Sequence, residues 1–364
     1  MKYCHKCLLP DTKPDLTFDD TGLCSACSAY DARPTIDWES RKQELITILD
    51  KYKGNHYDCI IPVSGGKDST YQVIKILELG YKPLCVTATT CDLSDIGRRN
   101  IENIKRLGVD CIEFSISKPL RSKLNKIGLE TIGDISWPEH VAIFTIPVRA
   151  AVAYKVPLII WGENSQNEYG GPAENADSPY LTRRWLEEFG GLNGLRVSDM
   201  IGTDGITEKD LWAFTYPTQE ELDAFNITGI FLGHYIPWDG YENAMISVKN
   251  GFTVYDKWVE GSCVDYENLD NYQTGIHDYF KFIKFGYGRA TDLISMAIRR
   301  GLPRSEGIVY VKNRDGNYPN TYLGKSLYHI LKDIGLTIPE FETIVNKFKV
   351  LHAGFQDFNN IASK

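Results

Sequence analysis

A glycine-rich turn joins an apolar segment to a helical one in residues 59–77, which have the sequence CIIPVSGGKDSTYQVIKIL. Such a turn presents unblocked backbone N–H groups at the positive end of the helix dipole, where an anion such as phosphate binds. A Walker A loop needs G-x-x-x-x-G-K-[ST], whereas here Asp68 follows Lys67, and Ile61 takes the place of the first glycine. The turn therefore predicts a phosphate site in a protein that is not a P-loop NTPase.

Strand-like and helix-like segments alternate on both sides of this turn. The predicted strands are 57–63, 83–89, 109–115 and 156–162, and the predicted helices are 36–52, 69–79, 94–107 and 138–154. Because such alternation builds right-handed βαβ units, it predicts an α/β fold with a parallel, doubly wound sheet covered by helices on both faces. Helical patterns return from residue 275, after a stretch rich in Gly, Asn, Asp, Pro and aromatic residues.

A chain of 364 residues is long enough for two or three domains or for one large α/β unit with an insertion, and 43% hydrophobic residues are enough to build a core. We expect a zinc ribbon (1–32), a linker helix (33–54), a nucleotide-binding core (55–165), an insertion with substrate contacts (166–270) and a C-terminal helical region (271–364). The sequence shows neither an export signal nor an apolar run of membrane-spanning length, so we expect a cytoplasmic protein without membrane contacts. A net charge of −8 without a lysine or arginine block favours a small-molecule substrate over nucleic acid.

Four of the nine cysteines form two C-x-x-C pairs with sixteen residues between them, at Cys4, Cys7, Cys24 and Cys27. This spacing is typical of a closed, tetrahedral zinc site with a structural role. A disulfide pair is disfavoured in a cytosolic protein, and a redox C-x-x-C has no need of a second copy. The other cysteines lie largely in apolar, strand-like stretches, where cysteine behaves as a small buried hydrophobe.

The sequence SGGKDS in residues 64–69 resembles the S-G-G-x-D-S motif of the ATP pyrophosphatase (PP-loop) superfamily. The resemblance implies that the loop grips the β,γ-pyrophosphate of ATP while the α-phosphate is attacked. Lys67 would offset charge on the leaving pyrophosphate, and Asp68 would hold Mg²⁺. The phosphate oxygens would accept hydrogen bonds from the loop residues Ser64, Gly65, Gly66 and Ser69. We expect Lys67 and Asp68 to lie at an exposed turn and to affect the chemistry more than folding.

Two strand ends fall where that superfamily places its other nucleotide contacts. In VTATT (86–90), the backbone of Thr87 and Ala88 would pair with adenine. In WGENSQ (161–166), Gly162 would allow a close approach, and Glu163 or Asn164 would face the α-phosphate and the acceptor. Open parallel sheets bind ligands at these carboxyl ends, although Gly, Thr and Asn are also common there for turn formation alone.

Four stretches together resemble the N-acetyl sugar amidotransferase family: the cysteine ribbon, DISWPEHVAIF (134–144), WGEN, and FGYGRATDLISMAIRRGLPRSEGI (285–308). The resemblance extends from the ribbon to about residue 310. It implies an enzyme that makes acetamidino groups on sugars of bacterial lipopolysaccharide or flagellin glycans, such as pseudaminic, legionaminic or amino-uronic acid derivatives. ATP would adenylate the acetamide oxygen, releasing pyrophosphate, and ammonia would then displace AMP. The implied cofactors are ATP, Mg²⁺ and a structural Zn²⁺.

The same resemblance suggests catalytic and substrate contacts outside the loop. Arg289 would bind a carboxylate or phosphate, and Asp292 a sugar hydroxyl or metal. Further candidates for substrate binding are Trp137, Glu139, His140 and Tyr287. For Arg289 and Asp292 the alternative is a helix cap and a surface pair, and a lone histidine is more often structural.

The source of ammonia is not evident in the chain. An amino-terminal-nucleophile glutaminase needs a cysteine at its processed terminus, where this chain has Lys2. A triad glutaminase needs a G-x-C-x-G elbow, and in GSCVD (261–265) Asp265 stands where the second glycine belongs. We therefore expect a separate glutaminase subunit, and the family resemblance suggests one like the glutaminase and cyclase pair of histidine biosynthesis.

Two other functions stay open at this point. Some PP-loop tRNA thiolases carry cysteine-rich zinc modules, but they usually need a basic RNA-binding face, whereas this chain is acidic and lacks a third C-x-x-C. A non-catalytic protein could use the ribbon for docking and the loop to sense an adenine nucleotide. The intact SGGKDS sequence argues against this second alternative.

Overall fold

The computed structural model describes residues 1–162, 179–181, 192, 194–350, 356–358 and 361. The helices, numbered in chain order, are α1 Ser25–Asp31, α2 Trp38–Tyr52, α3 Lys67–Glu78, α4 Asp95–Arg106, α5 Lys118–Ile132, α6 Trp137–Tyr154, α7 Gln219–Ala224, α8 Gly240–Lys249, α9 Thr274–Phe285, α10 Arg289–Arg299, α11 Arg304–Val311, α12 Leu327–Asp333 and α13 Ile338–Phe348. The strands are β1 Cys59–Pro62, β2 Pro83–Ala88, β3 Asp110–Phe114, β4 Leu158–Trp161, β5 Tyr180–Leu181, β6 Thr228–Phe231, β7 Thr321–Tyr322 and β8 Lys325–Ser326. None of the helices in these ranges combines the length and the apolar character needed to cross a bilayer.

Six strands form one sheet in the order β3-β2-β1-β4-β6-β5. The first five are parallel, and β5 pairs antiparallel at the edge. From β1 the chain winds outward through β2 to β3, and then returns through α5 and α6 to β4 on the other side of β1. The reversal makes the carboxyl ends of β1 and β4 a topological switch point, which is where open α/β sheets bind ligands. The predicted α/β class with a parallel, doubly wound sheet is confirmed.

Successive residues of β1 pack on opposite faces of the sheet, as the alternation of a strand requires. Ile60 joins a core with Leu84 and Ile159 that the helix α6 covers. Ile61 joins a second core with Leu49 of α2 and Val73 of α3. Helices therefore cover both faces, and only the sheet edges and strand ends are left for a site.

The predicted helices and strands of the sheet region are confirmed to within a few residues, but the sequence analysis assigned no element to α5, β6 or the β7–β8 hairpin. Strand β6 pairs in parallel with β4, with Ile159 opposite Gly229. The sheet therefore continues into the range that was predicted to be an insertion (166–270). A four-residue strand inside a Gly- and Asn-rich stretch gives too short a pattern to recognise. The division into five units stays a prediction.

The N-terminal ribbon packs against the C-terminal helices rather than against the sheet. Its Leu8, with the cysteines, shares a core with Ile294 of α10 and Val311 of α11. The Leu8 N–H lies 3.2 Å from Ser295 Oγ, and Arg304 Nε donates to the Cys7 carbonyl at 3.2 Å. These contacts make the ribbon a support for α10.

Candidate active site

The loop 64–69 is shaped by its own side chains. Gly65 has φ +82°, and a Cβ there would lie 3.0 Å from the Gly97 carbonyl, so only glycine fits without strain. Ser64 Oγ accepts from Gly66 N–H at 3.2 Å, while Ser69 Oγ accepts from Ser64 N–H at 3.4 Å and donates to the Gly66 carbonyl at 3.0 Å. Gly66 caps α3 without a side chain. Since the first N–H groups of a helix have no intrahelical partner, they are available to an anion.

Lys67 is buried, with 5% of its surface exposed, which corrects the expectation of an exposed turn. Its Nζ lies 2.6 Å from Asp68 Oδ2 and 2.6 Å from Glu267 Oε1. Burial by itself lowers the pKa of Lys67, but the two carboxylates outweigh it and raise this pKa well above its ordinary value. The ammonium is therefore charged and held in place, because the segment that carries Glu267 covers it.

Helix α8 fixes the loop from the other side. Asn243 Nδ2 donates to Asp68 Oδ1 at 2.9 Å, and Ser247 Oγ donates to the Lys67 carbonyl at 2.7 Å. Both side chains are buried, and a spacing of four residues puts them on one face of the helix. The sequence analysis missed these residues and Glu267. Two polar side chains spaced four residues apart on one helix face were the local sequence signal that could have predicted the contact between α8 and the loop.

Lys67 and Asp68 open onto a cavity of about 780 Å³, which we call the loop cavity. Tyr266 and Glu267 line it beside the loop, and Met296 of α10 lines the side formed by the C-terminal helices. The cavity thus combines a charged side near the phosphate loop with an apolar side, a usual composition for a small-molecule site.

The strand ends beside the loop carry buried polar groups. Thr87 and Ala88 are buried at the end of β2. Thr89 and Thr90 directly follow β2, and Trp161 is the last residue of β4. Three of their side-chain atoms are buried without a hydrogen-bond partner in the described part of the chain: Thr89 Oγ1, Thr90 Oγ1 and Trp161 Nε1. Unsatisfied buried polar groups are costly, so a ligand that bonded to them at this edge would be stabilised.

The other predicted contacts of the β4 end are only partly described. A Cβ on Gly162 would lie 3.2 Å from the Trp238 ring. The absence of a side chain at Gly162 therefore makes room for the Trp238 ring of the protein itself. Glu163 and Asn164 lie outside the described residues.

Trp137 and Glu139, two of the residues predicted to bind substrate, form hydrogen bonds with other residues of the protein. Trp137 has no exposed surface, and its Nε1 donates to the Leu195 carbonyl at 3.1 Å. The Glu139 carboxylate accepts from Arg121 at 2.9 Å and from Asn125 at 2.8 Å, and all three side chains are buried. These internal contacts are those of a structural role, and the predicted role of both residues in substrate binding stays untested.

His140 lies at the surface beside a second histidine. Its Nδ1 is 3.4 Å from Asp134 Oδ2, and His277 Nδ1 is 2.8 Å from Asp134 Oδ1. Burial by itself raises the pKa of Asp134, but the two imidazoles outweigh it and hold this pKa well below its ordinary value. His140 thus belongs to a cluster of one carboxylate and two histidines, and no contact in the described chain connects it with the loop 64–69.

The GYGRATD stretch forms the start of α10, and its charged residues pair with α9. Arg289 lies 3.4 Å from Asp278, and Asp292 forms an ion pair with Lys281. Tyr287 is buried, and burial raises its pKa well above the ordinary value. The alternative of a helix cap and a surface pair is not what the contacts show, because Gly288 caps α10 without a side-chain hydrogen bond and the Asp292 side chain is only 5% exposed. Both charged residues form largely buried pairs with α9, and their predicted catalytic and substrate-binding roles stay untested.

Arg289 does open onto a cavity, although not the one that Lys67 lines. This second cavity, the aromatic cavity, has a volume of about 330 Å³ and is lined by Trp258, Tyr279, Tyr318 and Tyr322 in addition to Arg289. The Asn268 carbonyl accepts from Tyr322 Oη at 3.1 Å. Since Asn268 directly follows Glu267, one chain segment contributes to the loop cavity and supports a wall of the aromatic cavity.

The four ribbon cysteines meet at one point and are fully buried. Their sulfur atoms lie 3.9 Å apart for Cys4 and Cys27 and 3.7 Å apart for Cys7 and Cys24. Four sulfurs bound to zinc at about 2.3 Å in a tetrahedron lie about 3.8 Å apart. In addition, Cys4 Sγ accepts from Cys24 N–H at 3.4 Å, and Cys7 Sγ from Leu9 N–H at 3.5 Å. The residues therefore fit a structural Zn²⁺.

The C-terminal part of the chain matches a known family. Residues 252–362 match the family described as LPS biosynthesis protein WbpG-like, C-terminal domain. No curated protein sequence matches the chain significantly. Among solved structures, NMN synthetase from Francisella tularensis is similar over 53% of this chain and 94% of its own, with 13% sequence identity and a TM-score of 0.29. A TM-score this low carries no conclusion about activity.

The WbpG-like region, residues 252–362, contributes directly to the loop cavity. It includes Glu267, which binds the Lys67 ammonium, and helix α10, which forms the far wall. The phosphate loop and the region that matches a family therefore line the same cavity.

Proposed function

We propose that this protein is an ATP-dependent amidotransferase that converts the N-acetyl group of a bacterial surface sugar into an acetamidino group. One observation carries the proposal: the SGGKDS loop and the WbpG-like region line one cavity, and Lys67 of the loop forms an ion pair with Glu267 of that region. The loop supports ATP cleavage between the α- and β-phosphates, as its resemblance to the PP-loop motif implies. The family match supports a sugar of lipopolysaccharide as the substrate class, because the matched family is described as one of lipopolysaccharide biosynthesis proteins.

The reaction needs activation because resonance makes the acetamide oxygen a poor leaving group. The carbonyl oxygen attacks the α-phosphorus of ATP, which forms an O–P bond and breaks the bond to the departing pyrophosphate. Ammonia then adds to the activated carbon, and AMP leaves with the original oxygen. Loss of a proton gives the acetamidino group.

The loop residues have separate tasks in this scheme. The N–H groups at the start of α3 bind the phosphate oxygens, and the Lys67 ammonium neutralises charge on the leaving pyrophosphate. Lys67 then exchanges its contact with Glu267 for one with the nucleotide. Asp68, a third exposed and oriented by Asn243, fits as the ligand that would hold Mg²⁺. When bound, magnesium supplies further neutralisation of the phosphate charge.

Ammonia from a separate glutaminase subunit fits the state of Cys263. This thiol is 7% exposed, and burial raises its pKa to about 12. A glutaminase nucleophile needs an accessible thiolate, so Cys263 is unsuited to that role. The proposal therefore includes a partner that hydrolyses glutamine.

We expect N-acetyl sugars incubated with the protein, ATP, Mg²⁺ and ammonium to show the small mass decrease caused by exchange of O for NH. Mass spectrometry of a panel of N-acetylated amino sugars and amino-uronic acids measures this directly. Glutamine in place of ammonium should give no product with the isolated chain, because Cys263 is buried and protonated.

The matched control is the corresponding free amino sugar, which has no acetamide oxygen and should stay unchanged. Modification of the free amine, or glutamine hydrolysis by the purified chain that Cys263→Ala abolishes, would contradict the proposal.

A further inference from the structure

Three side chains from three segments converge at the surface between α6 and α9. Asp134 lies in the turn between α5 and α6, His140 on α6 and His277 on α9. The two imidazole Nδ1 atoms face different oxygens of the Asp134 carboxylate, and the imidazole rings meet edge to face at 5.4 Å. The possible ligand atoms of the three residues all lie within 4.8 Å of one another.

The carboxylate of this cluster is buried, and the two imidazoles are partly exposed. The Asp134 side chain is 2% exposed, whereas His140 is 28% and His277 is 25% exposed. The Ser136 N–H donates to Asp134 Oδ1 at 2.9 Å and fixes the carboxylate. Parts of both imidazole rings are exposed, whereas the His140 Nδ1 atom that faces the carboxylate is itself buried. A cation from solvent therefore meets the rings first, and the fixed, buried anion lies behind them.

We propose that Asp134, His140 and His277 bind a divalent transition-metal ion, with zinc as the best match. Two imidazole nitrogens and one carboxylate oxygen are a donor set that such ions prefer. Bonds of about 2.0 to 2.2 Å in a tetrahedron place ligand atoms about 3.4 Å apart. The observed separations of 2.8 and 3.4 Å are to different oxygens of the carboxylate. Side-chain movements must therefore bring one oxygen and the two nitrogens to this spacing, from an arrangement in which the ligand atoms already lie within 4.8 Å of one another.

The site differs from the cysteine cluster in what it leaves open. Three protein ligands leave at least one coordination position for water or another ligand. Lys284 is a nearby cation; its Nζ donates to the Ile132 carbonyl at 3.2 Å, and burial lowers its pKa. Bound metal would tie α6, which packs on the sheet, to α9 of the C-terminal region.

The test measures the metal content of the intact protein after equilibration with excess Zn²⁺ and removal of free metal. We expect two zinc ions per chain, one for the cysteines and one for this cluster. His277→Ala and His140→Ala should each lower the content to one, whereas His56→Ala, which removes an exposed histidine elsewhere, should leave it at two.

Cobalt gives a second readout that needs no variant. The second equivalent of Co²⁺ should add absorption typical of nitrogen and oxygen ligands without increasing the thiolate charge-transfer absorption. One metal ion per chain in the wild-type protein would overturn the proposal, since the imidazoles then serve only as hydrogen-bond partners of Asp134. Two ions that persist in both histidine variants, or a second cobalt with thiolate character, would overturn it as well.

Discussion

Replacement of Lys67 by alanine is expected to lower the rate of AMP formation by about 10² to 10³-fold, the scale for loss of one preorganised charged group. The reason is that the charge on departing pyrophosphate loses the ammonium that the structure holds beside the start of α3. Single-turnover measurement of AMP at saturating ATP separates this effect from weaker binding. An unchanged rate would show that the Lys67 ammonium has no part in the chemical step.

The same variant is expected to be less stable, because Asp68 and the mostly buried Glu267 then lie close together without a cation. Breaking a fully buried ion pair by removing one partner costs about 3 to 5 kcal/mol, and we expect a smaller loss here because Asp68 is a third exposed and solvent screens its charge. The double variant Lys67→Ala/Glu267→Gln removes the excess charge, and it should regain stability in urea denaturation but not activity. Lys75→Ala, in the same helix, removes an i,i+3 pair with Glu78 and a cation–π contact with Tyr71, and it is the matched control.

Replacement of Cys24 by serine is expected to remove one zinc ion per chain and to unfold the ribbon. Structural zinc sites contribute about 10 to 16 kcal/mol of binding free energy, which is available to fold a short segment such as this one. The effect should extend to activity, because Leu8 and Arg304 tie the ribbon to α10 and α11. Helix α10 lines the loop cavity, whereas no ribbon residue does so in the described chain.

Metal analysis, thermal denaturation and the rate of AMP formation measure the three expected losses together. Cys111→Ser is the control, since Cys111 is a half-buried cysteine of β3 far from the cluster in sequence. It should keep its metal content. Full stability and activity in protein freed of zinc would contradict the structural role of the ribbon.

The parts of the fold that the sequence predicted correctly depend on local patterns. The strands of a parallel sheet are buried on both faces, so β1 and β2 form continuous apolar runs that are visible without a structure. The cysteine spacing likewise predicted a cluster because each ligand pair is local in sequence: Cys4 and Cys7 lie three residues apart, as do Cys24 and Cys27 at the start of α1. The loop 64–69 was recognised because its glycines and hydroxyl groups shape one another within six residues.

The surroundings of the loop depend on residues far along the chain. Asn243 lies 175 residues from Asp68, and no local pattern connects the two. The burial of Lys67 could not be predicted for the same reason, since Glu267, which contacts it, lies in the WbpG-like region 200 residues further along the chain. In the GYGRATD stretch, composition alone cannot decide whether Arg289 faces a ligand or the preceding helix. The structure shows that Arg289 pairs with Asp278 and that both side chains line the aromatic cavity.

The nucleotide product formed in the presence of an N-acetyl sugar and ammonium tests the central claim most directly. If the SGGKDS loop holds the departing pyrophosphate, AMP and pyrophosphate should appear in equal amounts, and each should match the amount of acetamidino sugar. Chromatography of the nucleotides together with a pyrophosphate assay measures both. Sugar-dependent formation of ADP and inorganic phosphate, without AMP or pyrophosphate, would contradict the account from the loop onward.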